Sequence, residues 1–248
     1  MRPAAALSVV KVLLRVRRRE VHVPAGRFLV DPVSYFGAEL IRTGAYEPSM
    51  TRRLADNLSA GMTFVDVGAN EGYFTVMASA LVGASGRVVA VEPQERVADV
   101  LAANLGLNSC SNVNVVRAAV GDVAGVLVLH IMPSVNTGAS SATPPVRYPT
   151  RREHVTQVKL DDLLPSLGVE TVDLMKIDVE GYESHVIDGA REVFRRGAVR
   201  QVALELHPRQ LRALGTTSED VVLLMESLGF ACTVAGDSGW CVFNGGTP

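Results

Sequence analysis

From residue 62 onward the apolar positions fall into two alternating patterns. Short, near-continuous apolar runs occur at Thr63–Val67, Arg87–Val91, Val113–Ala118, Val172–Asp178 and Gln201–Leu206. Runs of this length, rich in β-branched residues, suit strands buried on both faces. Between them, near Gly72–Val82, Glu95–Leu107, Tyr182–Arg195 and Ser218–Leu228, the pattern is that of helices. Strand and helix in alternation predict a parallel sheet with crossover helices. The tail differs: Ala231–Ala235 and Trp240–Asn244, about Gly236-Asp237-Ser238-Gly239, read as an antiparallel hairpin.

Two regions break the rhythm. Residues 1–61 precede the first core strand and read as a mixed, partly helical cap, leaving 62–248 as the main domain. Within that domain, 124–160 carries two strand candidates, Val126–Ile131 and Val155–Leu160. A Ser-, Thr-, Pro- and Gly-rich stretch from Met132 to Pro149 joins them. A connection that long in a compact domain usually serves a function, and we expect a substrate lid here.

Composition narrows the picture. The chain has 248 residues, 48% of them hydrophobic, and a formal charge of −2, so a large core is available and a basic surface for nucleic acid is not expected. Three cysteines, Cys110, Cys232 and Cys241, include no Cys-x-x-Cys pair. Neither a disulfide framework nor a zinc knuckle is expected, and free thiols suit a cytoplasmic protein. The apolar run from Ala4 to Val16 is interrupted by Lys11 and Arg15 and followed by Arg17-Arg18-Arg19. It is too short to span a bilayer, and its basic cluster lies on the wrong side for a secretory signal. A helix packed on the domain fits it better than one lying on a membrane.

Chemistry concentrates at the ends of the strand candidates. After the first comes Asp66-Val67-Gly68-Ala69-Asn70-Glu71-Gly72, a glycine-rich turn into a helix. The Gly-x-Gly-x-x-Gly spacing of a dinucleotide site is missing, and the acids Asp66 and Glu71 would repel a pyrophosphate. They suit a cofactor carrying an ammonium and a sulfonium, and Gly68 lets the backbone approach it. The second strand ends in Glu92, 24 residues after Gly68, where an acid can accept from both ribose hydroxyls. Ala118, Ala119 and Val120 follow the third strand, with side chains small enough for an adenine.

The fourth strand contains Lys176 and closes on Asp178, with Glu180 in the next turn. Lys176 and Asp178 share a side, and a Lys in a buried strand needs a partner, so Lys176 should pair with Asp178 or Asp66. The fifth strand ends Leu204-Glu205-Leu206-His207, with Glu205 and His207 on one face. Next to Asp178, such an acid and imidazole could act as a general base or hold a divalent cation such as magnesium. No metal is expected.

Taken together, these residues resemble the FkbM-type methyltransferases. The resemblance rests on Asp66-Val-Gly-Ala-Asn-x-Gly-Tyr-Phe-Thr, Val91-Glu92-Pro93 and Lys176-Ile-Asp-Val-Glu-Gly-Tyr-Glu. It is supported by Thr43-Gly44-x-Tyr46-Glu47-Pro48, Leu160-Asp161-Asp162-Leu163-Leu164 and Leu204-Glu205-Leu206-His207. It implies a class I, doubly wound α/β fold with a seven-stranded sheet, mostly parallel with a C-terminal antiparallel hairpin. It also implies S-adenosylmethionine as cofactor and methyl transfer to a hydroxyl of a small molecule such as a polyketide, a sugar or another secondary metabolite. Carried onto this chain, Asp66, Gly68, Asn70, Gly72, Glu92 and Ala119 would hold the cofactor, with Glu47 and Asp178 as additions. The catalytic candidates are Asp178, His207, Glu180, Lys176 and Glu205. The competing readings are a scaffold that binds the cofactor without turnover and a nicotinamide oxidoreductase. A nucleic-acid methyltransferase is disfavoured because no basic, aromatic-rich patch is present.

Overall fold

The computed structural model describes residues 16–132, 140–142 and 150–244. The five expected core strands are β3 (Thr63–Val67), β4 (Arg87–Val91), β5 (Val113–Val116), β9 (Leu174–Ile177) and β10 (Gln201–Glu205), of which β5 is a half-exposed edge strand rather than one buried on both faces. All four of their neighbouring pairs run parallel, in the order β5-β4-β3-β9-β10. A hairpin, β11 (Phe230–Ala235) and β12 (Ser238–Phe243), continues the sheet antiparallel on the β10 side and makes seven strands. The expected α/β fold is therefore present, with β3 and β9 adjacent. The chain leaves β3 in one direction and returns at β9, so the tips of these two strands form the switch point at which such sheets bind ligands.

Strand alternation divides the core into two. Val65, Val67, Met175, Ile177, Val202 and Leu204 face one layer, which includes α6 (Glu183–Asp188), α7 (Arg191–Arg195) and α9 (Ser218–Ser227). Phe64, Leu174 and Ala203 face the other, which packs α3 (Tyr73–Val82), α4 (Glu95–Leu107) and the N-terminal elements. Those N-terminal elements are a hairpin, β1 (Arg19–Val23) with β2 (Gly26–Val30), and two helices, α1 (Tyr35–Thr43) and α2 (Pro48–Asn57). Phe28, Phe36, Tyr46, Tyr73 and Phe74 join them to the sheet as a run of edge-on and tilted rings.

Several boundaries differ from the sequence reading. The third strand stops at Val116, and Ala119–Val120 leaves the main sheet as β6 to pair with β8 (Arg151–Val158). With β7 (Gly125–Ile131), β6 and β8 form a separate three-stranded sheet, ordered β6-β8-β7. Leu160 does not extend β8 but starts a short helix, α5 (Leu160–Ser166). The helix expected over Tyr182–Arg195 is two, α6 and α7, broken at Gly189, where a side chain would overlap the carbonyl of Gly121. His207 precedes α8 (Pro208–Ala213). The proposed lid stretch Met132–Pro149 lies mostly outside the described residues, as does the apolar run Ala4–Val16. No helix among the described residues is long and apolar enough to cross a membrane.

The cysteine expectation is overturned. Cys232 and Cys241 stand directly opposite in the β11–β12 register and form a disulfide, while Cys110 is free. Cysteine spacing gives no sign of this, because the pairing comes from strand register: nine residues of separation across a tight turn bring the two Cβ atoms together. By loop entropy a ring of this size stabilises by about 2–3 kcal/mol. Reduction, or Cys232→Ser with Cys241→Ser, should lower Tm by roughly 5–10 °C in a chain of this size, as read by a thermal melt with and without reductant.

Candidate active site

The tips of β3, β4, β9 and β10 open into one cleft of about 830 Å³. Gly68, Asn70, Glu92, Ala119, Asp178, Glu180, Glu205 and Glu47 all line it, together with Gln94, Ala118 and Val120. The sequence-predicted residues therefore meet in one place, with four exceptions in detail. Asp66 is buried behind the cleft, accepting from Thr75 Oγ1 at 2.6 Å. Gly72 faces Leu101 of α4, which a side chain would strike. Lys176 lies beneath the cleft floor, and His207 stands beside Asp178 and Glu180.

The turn after β3 is tighter than a close approach to a ligand alone requires. Gly68 has φ +85°, and a Cβ there would overlap the carbonyl oxygen of Asp178, so the neighbouring strand tip demands glycine. Asn70 is left-handed at φ +49° and directs its N–H to Glu92 Oε2 at 3.0 Å. Gln94 N–H holds the other oxygen of Glu92 at 2.9 Å. Burial pushes the Glu92 carboxyl up to about 7 despite these two bonds. The Asn70 side-chain oxygen is buried without a partner among the described residues. A buried carboxylate at the β4 tip, an unmet acceptor on the turn and the small Ala118 and Ala119 fit a ribosyl-adenine ligand.

Glu71 corrects one part of the sequence reading. Its carboxylate does not meet the cleft but is held by both terminal nitrogens of Arg18 at 2.7 Å. The acids that do line the cleft are Glu47, Glu92, Asp178, Glu180 and Glu205.

Beneath these acids lies the Lys176 ammonium, 1% exposed, donating to Asp178 Oδ2 at 2.8 Å and sitting 4.9 Å from the Phe74 ring. Burial alone would strip its proton, but Asp178, Asp66, Glu47 and Glu205 surround it and raise its pKa above the ordinary lysine value. Burial, with Asp178 nearby, drives Glu205 to about 8. Burial also raises Glu47, which is within hydrogen-bonding reach of Glu205, so the two carboxyls can share a proton. Glu180 is pushed to about 7, again chiefly by burial.

His207 is the other cationic centre. Its Nδ1 is 2.8 Å from Glu183 Oε1, and its Nε2 faces Asp178 and Glu180 at 3.8 and 3.6 Å. Burial opposes its charge, yet the Glu183 bond and the neighbouring carboxylates outweigh it and lift the imidazole to about 9. Glu183, fully buried, also accepts from Gly181 N–H and so fixes which ring nitrogen faces the cleft. Sequence reasoning assigns Glu183 no role; its place in the turn after Glu180 is the available signal. Donor atoms of Asp178, Glu205 and His207 lie within 4.8 Å of one another, a spacing that could also hold a divalent cation once His207 had lost its proton.

The insertion also contributes to the lining of the cleft. Leu127 and Leu129 of β7, with Ser140, Ser141 and Ala142, line it opposite Ala119. Ser140 Oγ donates to Gln94 Oε1 at 3.2 Å, and Ser141 Oγ to the Glu180 carbonyl at 2.7 Å.

The family model described as the methyltransferase FkbM domain matches residues 66–232. The chain belongs to the FkbM methyltransferase family. It is a methyltransferase, and its cofactor is S-adenosylmethionine. A curated relative, methyltransferase sdnD of Sordaria araneosa, is 29% identical over 236 residues, covering 82% of this chain and 88% of that one. The crystal structure of the methyltransferase FkbM from Methylobacillus flagellatus KT matches with a TM-score of 0.50 and 14% identity, over 84% of this chain. This methyltransferase spans 60% of that structure's length, and the likeness is one of fold.

The buried ammonium gives a direct test of the site's electrostatics. Lys176→Met should cost about 3–5 kcal/mol in urea unfolding at pH 7.5, because it strands Asp178 and Asp66 without their partner. A loss below about 1 kcal/mol would mean that these acids are already neutral.

Proposed function

We propose that this methyltransferase moves a methyl group from S-adenosylmethionine to a hydroxyl of a small, non-anionic molecule. The carrying observation is the continuity of the cleft. Glu92 and Ala119 lie at one end and Asp178, Glu180 and Glu205 at the other, with His207 beside them. Glu92 would accept from the ribose hydroxyls, Gly68 and Asn70 would follow the cofactor backbone, and Glu47 with Asp178 would face its cationic end. Asp66 and Gly72 would act through the turn they shape. Bound there, S-adenosylmethionine supplies a methyl group already activated on a sulfonium, so the chain's own work is positioning and proton removal, the former worth up to about 7–11 kcal/mol.

Proton removal falls to His207 on this reading. Its Nε2 faces the carboxylates at the acceptor end, while Glu183 holds the ring and stabilises the imidazolium that forms. Asp178, neutralised by Lys176, would orient the acceptor oxygen. An excess of carboxylates disfavours phosphorylated or carboxylated acceptors. We further propose that 62–248 is the catalytic domain, that 1–61 caps it, and that the 124–160 insertion acts as a lid. Work on a metabolite, rather than on nucleic acid, completes the reading; the Cys232–Cys241 disulfide removes the thiol argument for a cytoplasmic location.

Three measurements test it. Calorimetry should register S-adenosylhomocysteine binding, and Glu92→Gln should weaken it by on the order of tenfold to a hundredfold, the loss of one or two charge-assisted hydrogen bonds. Unchanged affinity would remove Glu92 from the donor site. With an accepted hydroxylated substrate, kcat should rise with pH towards about 9 as His207 loses its proton, and His207→Ala should be slow and flat with pH. Full turnover in His207→Ala would transfer the role to Asp178. Loss of activity in chelator, restored by magnesium, would favour a cation bound by Asp178, Glu205 and His207 over an imidazole base.

A further inference from the structure

The acid in the middle of the glycine-rich turn is used in an unexpected way. Glu71 is 2% exposed, and its two oxygens accept from Arg18 Nη1 and Nη2 at 2.7 Å each, a bidentate pair. Arg18 lies 53 residues upstream, just before β1, and its Nη1 also donates to the Leu29 carbonyl of β2 at 3.0 Å. The backbone carbonyl of Glu71 is held as well: Asn104 Nδ2 donates to it at 2.7 Å. Asn104 Oδ1 in turn accepts from Leu29 N–H at 2.7 Å. Both ends of Glu71 are thus tied to one residue of the N-terminal hairpin.

Its two neighbours are the residues whose conformations most need support. Asn70 at φ +49° aims its N–H at Glu92, and Gly72 at φ +91° opens α3. Such backbone is strained for a non-glycine residue and persists only where the surroundings over-determine it. Glu71, pinned at its side chain and at its carbonyl, supplies that determination. If the guanidinium is lost, a buried carboxylate stands unpaired and must swing out or take a proton. Either response releases the turn that holds Glu92.

We infer that Arg18 is a positioning residue for methyl transfer: its grip on Glu71 sets the turn that carries the donor, so the N-terminal hairpin is part of the cofactor site without touching the cofactor. The inference rests on the donor-site reading above.

The test measures donor affinity rather than turnover. In the full chain, Arg18→Met should raise the Kd for S-adenosylhomocysteine about tenfold or more by calorimetry, and Arg18→Lys, which keeps the charge but not the fork, should recover part of the loss. Combining Arg18→Met with Glu71→Gln should cost no more affinity than Arg18→Met alone, since the two residues act as one unit. A purely structural role would instead lower Tm while leaving Kd within about twofold of wild type in the folded fraction, and that result would overturn the inference. So would fully additive losses in the double variant. Should Arg18→Met not fold, Glu71→Gln, which keeps the shape and removes the charge, takes its place: a raised Kd supports the inference and an unchanged Kd overturns it. A wild-type chain that binds no S-adenosylhomocysteine would overturn the donor reading itself, and this inference with it.

Discussion

One buried ammonium organises the carboxylate-lined end of the cleft. Lys176 stands in β9, opposite Asp66 in the β3 register, with Asp178 two residues on, just past the end of the strand. Strand alternation puts all three on the same face of the sheet, the one covered by α3, where Phe74 lies against the ammonium. Without that charge, a floor made from Asp66, Asp178, Glu47 and Glu205 would repel itself. With it, the acids can crowd together at the switch point, and their excess is carried by protons held on Glu205, Glu180 and His207. The site is therefore assembled around a cation that the solvent never reaches.

The same economy of shape governs the turn above it. Gly68 is dictated by the Asp178 carbonyl and Gly72 by Leu101, so the two glycines are fixed by the protein's own neighbours. Glu92 is then reached by two backbone N–H groups, from Asn70 and Gln94, which point its carboxylate before any ligand arrives. Preorganisation of this kind spares the cost of ordering these groups at the moment of binding.

How much is legible in the sequence follows from which forces each residue answers to. Strands β3 and β4 and the helix Glu95–Leu107 are readable to the residue, because doubly buried strands and an amphipathic helix leave an unbroken local pattern. The strand-end acids and His207 are readable because chain alternation and sheet order bring them together. The Cys232–Cys241 bond is not, since it depends on the register of two strands across a turn. Glu71 misleads for the same reason: its partner, Arg18, is supplied by a hairpin whose weakly patterned strands give no signal. Likewise, the role of Glu183 depends on a full turn of chain folding back under His207. Short-range pattern carries the fold, and long-range pairing decides which charges face the cleft.

The carboxylate-rich wall has a consequence for the direction of the catalytic cycle. On the proposed mechanism, group transfer turns the sulfonium into a neutral thioether and leaves its positive charge on His207 as a proton, so the charge moves from the donor to the imidazole while Glu47, Asp178, Glu180 and Glu205 stay where they are. An ionised carboxylate beside the donor attracts the charged reagent more than its neutral, spent form. On that proposal the donor end would relax its hold once the methyl group has gone, and the proton left on His207 would have to depart before the next turn.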